Sequence, residues 1–327
     1  KFLNEKYTEE GMNKESIIFF LDLIFNPNVK NNAFLNIDKQ KSKLKQDIIS
    51  IKDNKVKYSV LKLMEKMKEK EYSYNTFGYL EDLEDITGEE LYTYYEKVLK
   101  EDQIDVFILG DIDESQIKEI FKEYFKATTF KKNNKDLLIK ELLPRKRIVR
   151  YHEYDKVNQA QLIILCSLNN LTEFERRYTI KLYNEIIGGS ANSILFENVR
   201  EKHSYCYYIN SSVKAYDNIL LINSGVEQEN IDKTIKLVRK TLKSINEGKL
   251  KEENIISAKN TIISGIKSAS DEPMGIINTY FSKVLVGTPN EEERIANFNK
   301  ITKEDIVKVS KKVTLHTILT LESKEDE

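Results

Sequence analysis

Arg200 and Tyr207 lie seven residues apart, downstream of the glycine pair Gly188-Gly189, and are the residues here best suited by type and spacing to act on a substrate. The stretch runs Gly188-Gly189-Ser190, then Ser193-Ile194-Leu195-Phe196, Arg200-Glu201-Lys202, Tyr207, Asn210 and Ser211. A glycine turn, a short amphipathic helix ending in charge and a Tyr-rich strand can bring a guanidinium and a phenol side by side. Arg offers five donors in a fixed fork, and Tyr one more at the end of a rigid side chain. Two such groups converging on a peptide carbonyl would hold its oxyanion more strongly than the carbonyl itself, each donor contributing on the order of 3 kcal/mol. The same spacing admits a plainer reading, with Arg200 in a surface ion pair with a Glu and Tyr207 as a half-buried strand residue.

Other chemistries have less support. The three histidines, His152, His203 and His316, are too far apart in sequence to form a helical ligand pair. His203 follows a charged turn and reads as a solvated surface residue. No Gly-x-Ser-x-Gly elbow is present, and Gly188-Gly189-Ser190 lacks both the spacing of a dinucleotide fingerprint and a following Lys. In a chain of 327 residues, 52 basic and 53 acidic side chains cancel, so no net field favours nucleic acid or an anionic membrane surface. No apolar run is long enough to span a bilayer, which implies a soluble protein. Cys166 and Cys206 sit in apolar or aromatic runs as small buried hydrophobes, a pattern that fits a reducing, cytoplasmic compartment.

The elements that would position the pair follow from periodicity. Ile17, Leu21 and Ile24, backed by Ile18 and Phe25, give a helix over 14–25 that Asn26-Pro27-Asn28 stops. A Lys-rich helical pattern runs from about 38 to 68 with a break near Asp53-Asn54, its apolar side carrying Leu44, Ile48, Ile51, Leu61 and Met64. Thr87 and Glu90 form a capping-box start, Ile104 to Leu109 reads as a strand, and Asp113 caps a helix carrying Ile117, Ile120, Phe121 and Tyr124. The opening Ile86-Thr87 returns as Ile301-Thr302, 215 residues later, again followed by a helix and then a strand, 315–321. Residues 131–145 read as a surface linker. The repeat predicts two homologous domains, the latter part of a first over 1–130 and a complete second over 146–327, with the first domain's start cut off before Lys1. In the second, 147–168 reads as a strand pair or one long bent strand, interrupted at Val157-Asn158-Gln159, and 174–187 as a helix ended by the glycine pair at positive φ. Strands over 205–213 and 218–226 and helices over 228–246 and 252–270 complete an α+β fold, with helices over one face of a largely antiparallel sheet.

As a unit, Gly188-Gly189-Ser190, Ser193-x-Leu195-Phe196, Arg200-Glu201-Lys202 and Tyr207 resemble the second-domain signature of the pitrilysin, insulinase and mitochondrial processing peptidase family. Phe25-Asn26-Pro27, the Lys-rich helix, Gly78, Ile86-Thr87 and Gly110-Asp111-Ile112-Asp113 are similar to the later half of that family's first domain. The resemblance implies a zinc peptidase architecture of paired α+β domains enclosing an unfolded or short peptide. Zinc in that family sits on an inverted His-x-x-Glu-His helix and a more distal Glu, while Arg and Tyr of a partner domain steady the substrate carbonyl. The His-x-x-Glu-His segment is absent from these residues, and the helix expected to carry the distal Glu has Gln40 and Asp47 among Lys39, Lys41, Lys43 and Lys45. No catalytic or zinc-binding residue is therefore assigned. The resemblance casts the chain as a degenerate subunit in which Arg200, Tyr207, Gly188 and Gly189 bind peptide, beside a homologous zinc-bearing subunit or in a homodimer. A non-catalytic assembly or binding subunit of the same fold is the alternative.

Overall fold

The computed structural model describes residues 5–67, 69–125 and 139–324, so residues 131–138 of the expected linker lie outside the described residues. In chain order the helices are α1 (Met12–Phe25), α2 (Ile37–Ser50), α3 (Lys55–Glu65), the single turns α4 (Lys70–Ser73) and α5 (Asp82–Asp85), α6 (Gly88–Glu101) and α7 (Glu114–Tyr124). They continue with α8 (Ile180–Asn184), α9 (Ile231–Asn246), α10 (Glu252–Asp271), α11 (Pro273–Val286), α12 (Glu291–Lys300) and α13 (Lys303–Ser310). The strands are β1 (Val29–Lys30), β2 (Ala33–Phe34), β3 (Val149–Tyr154), β4 (Ala160–Leu168), β5 (Cys206–Lys214), β6 (Ile219–Val226) and β7 (Val313–Glu322). Two compact units interleave along the sequence. One comprises Lys1–Ile48, Tyr79–Asp136 and Glu272–Gly287; the other comprises Ile49–Gly78, Leu137–Asp271 and Thr288–Glu327.

The first unit is held by aromatic rings. α1 ends where Asn26 donates its backbone N–H to Asp22, just before Pro27. A minimal hairpin of β1 and β2 follows, its turn made by Asn31 and Asn32 at φ of 52° and 59°. Tyr95 of α6 donates its hydroxyl to the Ile24 carbonyl at 2.6 Å, and Tyr124 of α7 donates to Asp22 at 2.8 Å. Both helices are thus tied to the end of α1, and the predicted Thr87–Glu90 capping box opens α6. Ile104 to Leu109 differs from expectation. Its residues have strand propensity, but no ladder partner pairs with them among the described residues, and Ile104, Val106, Ile108 and Leu109 are exposed. Propensity marks a segment that suits a pleated sheet; neighbouring strands decide whether one forms.

The second unit is an α+β fold around a five-stranded sheet ordered β3-β7-β4-β6-β5, antiparallel except for the β3–β7 pair. Every residue of β4 is buried, as its near-continuous apolar sequence requires of a strand covered on both faces. On one face Leu162, Ile164, Leu220 and Ile222 meet Tyr183, Ile235, Val238 and Val309 from the helices. The other face is also covered. Ile163, Leu165, Leu221 and Leu319 pack under Leu63, Met67, Tyr72 and Leu142. The helical pattern over 38–68 breaks where predicted, Asn54 capping α3; of the expected apolar side Ile51 is buried and Met64 packs against this layer, Leu44 is exposed, and Ser59, Leu63 and Met67 are buried besides. Each leucine so buried contributes roughly 2 kcal/mol.

Candidate functional site

The site is built at the sheet edge formed by β5. Residues 173–189 form one continuous helix around α8, and its last turn, Glu185–Gly189, is π-type. The glycine pair lies inside that turn and neither residue has positive φ, contrary to the expected glycine cap. Close approach to the β5 backbone demands glycine at Gly188, whereas Gly189 faces the flexible end of the Glu185 side chain. A Cβ on Gly188 would stand 2.6 Å from Ser211 Oγ, and one on Gly189 would overlap the Glu185 carboxylate.

Beyond Ser190 the chain re-enters a helix over 194–201. Leu195 and Val199, one turn apart, are fully buried and anchor it. The neighbouring pair at the same spacing, Phe196 and Arg200, meets on the helix surface, with the guanidinium carbon 4.7 Å from the Phe196 ring centre. Ser204 then reverses the chain at φ of 53°, and Tyr205 donates its N–H to the Val199 carbonyl at 3.1 Å, fastening the start of the strand to the end of the helix. The register of β5 against β6 slips here: Cys206 faces Val226 and Tyr208 faces Gly225, leaving Tyr207 without a partner. Bulges of this kind re-aim a side chain. Tyr207 is 72% exposed, and its ring centre lies 5.9 Å from the Arg200 guanidinium carbon. The guanidinium is therefore close to two rings, Phe196 and Tyr207, and no ion pair holds it among the described residues. Glu197, the nearby acid, is taken by Lys202 at 2.7 Å, and that contact holds its carboxyl below the usual range.

Tyr208 fixes the strand beside the bulge. Its hydroxyl donates to Gln161 and its carbonyl accepts from Ser224 Oγ at 2.8 Å. A Cβ on Gly225 would come within 2.5 Å of its ring, so Gly225 is required for the ring to lie across β6. Gln161, Ser224 and Gly225 were not singled out from sequence; the available signal was a glycine inside a strand pattern. Burial pushes the Cys206 thiol up, against the pull of Ser224 and Arg200, which keeps it protonated and unsuited as a nucleophile. Cys166 and Cys206 are both free and buried. His203 is exposed, its Nδ1 2.7 Å from the Asn198 carbonyl, while His152 lies 2.9 Å from Glu322 on the opposite side of the sheet order. His316 is buried within β7.

Zinc does not fit the residues described. Among them no group of three or more His, Cys, Asp or Glu side chains could hold a metal ion. Along α2, where the resemblance places a distal ligand, Gln40 and Asp47 stand among lysines, and Lys41 donates to the backbone carbonyls of Glu84 and Ile86. Nor is any described helix long and apolar enough to cross a membrane.

Comparison with known proteins bears on the family and the fold. The family described as the peptidase M16 inactive domain matches residues 85–262. A protein of Bacillus subtilis (strain 168) named probable inactive metalloprotease YmfF is 28% identical over 98% of this chain and 76% of its own length. A conserved protein from Enterococcus faecalis V583 superimposes with a TM-score of 0.89 at 26% identity, over 100% of this chain and 78% of that one. The peptidase M16 inactive domain from Pseudomonas fluorescens shares the fold, with a TM-score of 0.75 at 15% identity over 98% of this chain and 76% of that one. With more than half of its length matched by that family, the chain belongs to the peptidase M16 inactive-domain family.

Proposed function

We propose that this chain is a degenerate subunit of a zinc-dependent peptidase, gripping an extended peptide through Arg200 and Tyr207 while a homologous subunit holds the zinc. The observation that carries this reading is the Arg200 guanidinium close to the rings of both Phe196 and Tyr207, with no ion pair among the described residues. Rings hold the plane of a guanidinium without using its N–H donors, so the fork stays available for a carbonyl oxygen. Tyr207, exposed at a bulge, adds a phenol beside it. In this reading Gly188 lets the helix end close onto β5, and Gly189, at the surface, lets a peptide backbone pass. The two lobes of the peptidase half would be the homologous domains expected over 1–130 and 146–327, and the buried thiols suit the cytoplasm.

Binding of a labelled, extended peptide followed by fluorescence anisotropy tests the grip. Arg200→Ala is expected to weaken binding about tenfold, the contribution of one charged hydrogen bond, and Tyr207→Phe about threefold. Unchanged affinity in both variants would contradict the reading. A second reading, a non-catalytic binding or assembly subunit in a homodimer, draws on the inactive designation of the B. subtilis relative. It predicts peptide binding with no gain in turnover when a zinc-bearing homologue is added.

A further inference from the structure

The first unit contains a cavity of about 380 Å³ that the peptide grip does not use. Phe25, Tyr92 and Tyr95 supply aromatic surface, Pro27, Val29 and Leu99 aliphatic surface, and Glu96 and Lys100 line it with charge, beside Asn26. The rings are fixed. Tyr92 and Tyr95 stack with centres 6.0 Å apart, and Phe34 meets them edge-on at 5.9 Å and 5.5 Å. Both hydroxyls are committed, Tyr92 donating to Glu96 Oε1 at 2.9 Å and Tyr95 to the Ile24 carbonyl at 2.6 Å. What the rings have left to offer a ligand is apolar and π surface.

We propose that this cavity binds a basic side chain, lysine or arginine, of an extended polypeptide. That the cation belongs to a peptide rests on the function proposed above; the preference for a cation does not. Aromatic walls attract a cation through the ring quadrupole, the aliphatic residues suit a methylene stem, and one carboxylate supplies the counter-charge. Glu96 is available for that role. Its Oε1 accepts from Tyr92, while among the described residues Oε2 meets Lys100, at 3.6 Å, in a pair whose side chains are 73% and 45% exposed. Exposed pairs of this kind are worth little, so an incoming ammonium displaces Lys100 at small cost. An acidic ligand would meet the same carboxylate as a repulsion, and a purely apolar one would leave it without a new partner.

Two heptapeptides, identical except for lysine or norleucine at the centre, separate charge from stem in calorimetric titrations at low salt. The lysine peptide is expected to bind about fivefold tighter, the size of an exposed cation–π contact with its counter-charge. Glu96→Gln should reduce the ratio to about twofold, the part the rings supply, and Lys100→Ala should raise it by removing the competing cation. Equal binding of the two peptides, binding of neither, or a lysine preference undiminished by Glu96→Gln would overturn the assignment. Arg200→Ala serves as the separating control. It should weaken both peptides equally and leave their ratio unchanged; if it weakens neither while the ratio stands, the grip fails and the cation cavity remains.

Discussion

The Arg200 guanidinium neighbours rings where a carboxylate would have been the ordinary partner, and this sets what it can do. An arginine in a tight ion pair has spent its fork; one lying against Phe196 and Tyr207 keeps its donors while its plane is steadied by a contact worth about 0.5–1 kcal/mol at an exposed site. A different buried cation problem arises at His316. Burial holds its imidazole down to about 4, the Arg145 guanidinium adds to the shift, and Glu69 opposes it. Its Nδ1 lies 2.8 Å from Thr317 Oγ1, and Nε2 is buried without a partner among the described residues. The neutral form is therefore the folded form. Because the unfolded chain takes up the proton first, the stabilisation is complete above about pH 6.5 and is lost as pH falls toward 4, about 2 kcal/mol of it between pH 7.5 and 5. Urea unfolding at those two pH values should show a smaller loss for His316→Leu than for the parent chain; equal losses would refute the assignment. The sequence expected Arg200 and Tyr207 side by side, and they are, 5.9 Å apart; spacing alone left a plain ion-pair reading open, and the resemblance supplied the role. The glycine pair was misread as a positive-φ cap because sequence does not reveal that Ser211 and Glu185 crowd it.

Capping boxes start α6 and α13, and their consequences differ with what each helix buries. In α13 Thr302 accepts from the Asp305 N–H at 3.2 Å while the Asp305 carboxylate accepts from the Thr302 N–H at 2.9 Å. That helix places Ile306 and Val309, both fully buried, in the core of the second unit, whereas α6 has no fully buried residue. Thr302→Ala should cost the second unit about 1–2 kcal/mol in denaturant unfolding, and Thr302→Ser should restore most of it. A loss below about 0.3 kcal/mol would mean the box is ornamental. Local signals of this sort, together with the Asn54 break and the Val157-Asn158-Gln159 interruption, were readable because each depends on neighbours in sequence. The Ile104 to Leu109 segment and the coverage of the second sheet face by α3 depend on neighbours far away in sequence, so alternation and periodicity could not supply them. Likewise, of the α3 positions expected inward, Met64 packs against that layer but Leu63 is the fully buried one, because the axis of such a helix is set by its packing.

At the scale of the molecule, a nearly neutral chain carries the M16 fold, lacks a metal-binding group among its described residues, and presents an Arg/Tyr pair on its second unit. Under the proposed function these features belong together: Arg200 and Tyr207 would hold a peptide whose bond is cut by zinc in another subunit. The most direct measurement mixes this chain with a zinc-bearing homologous subunit and follows hydrolysis of an extended peptide. The account predicts turnover only in the mixture, with kcat/KM falling about 100-fold for Arg200→Ala, the effect of removing one oxyanion donor. Turnover in the mixture that is indifferent to Arg200→Ala, or no greater than that of the zinc-bearing subunit alone, would contradict it.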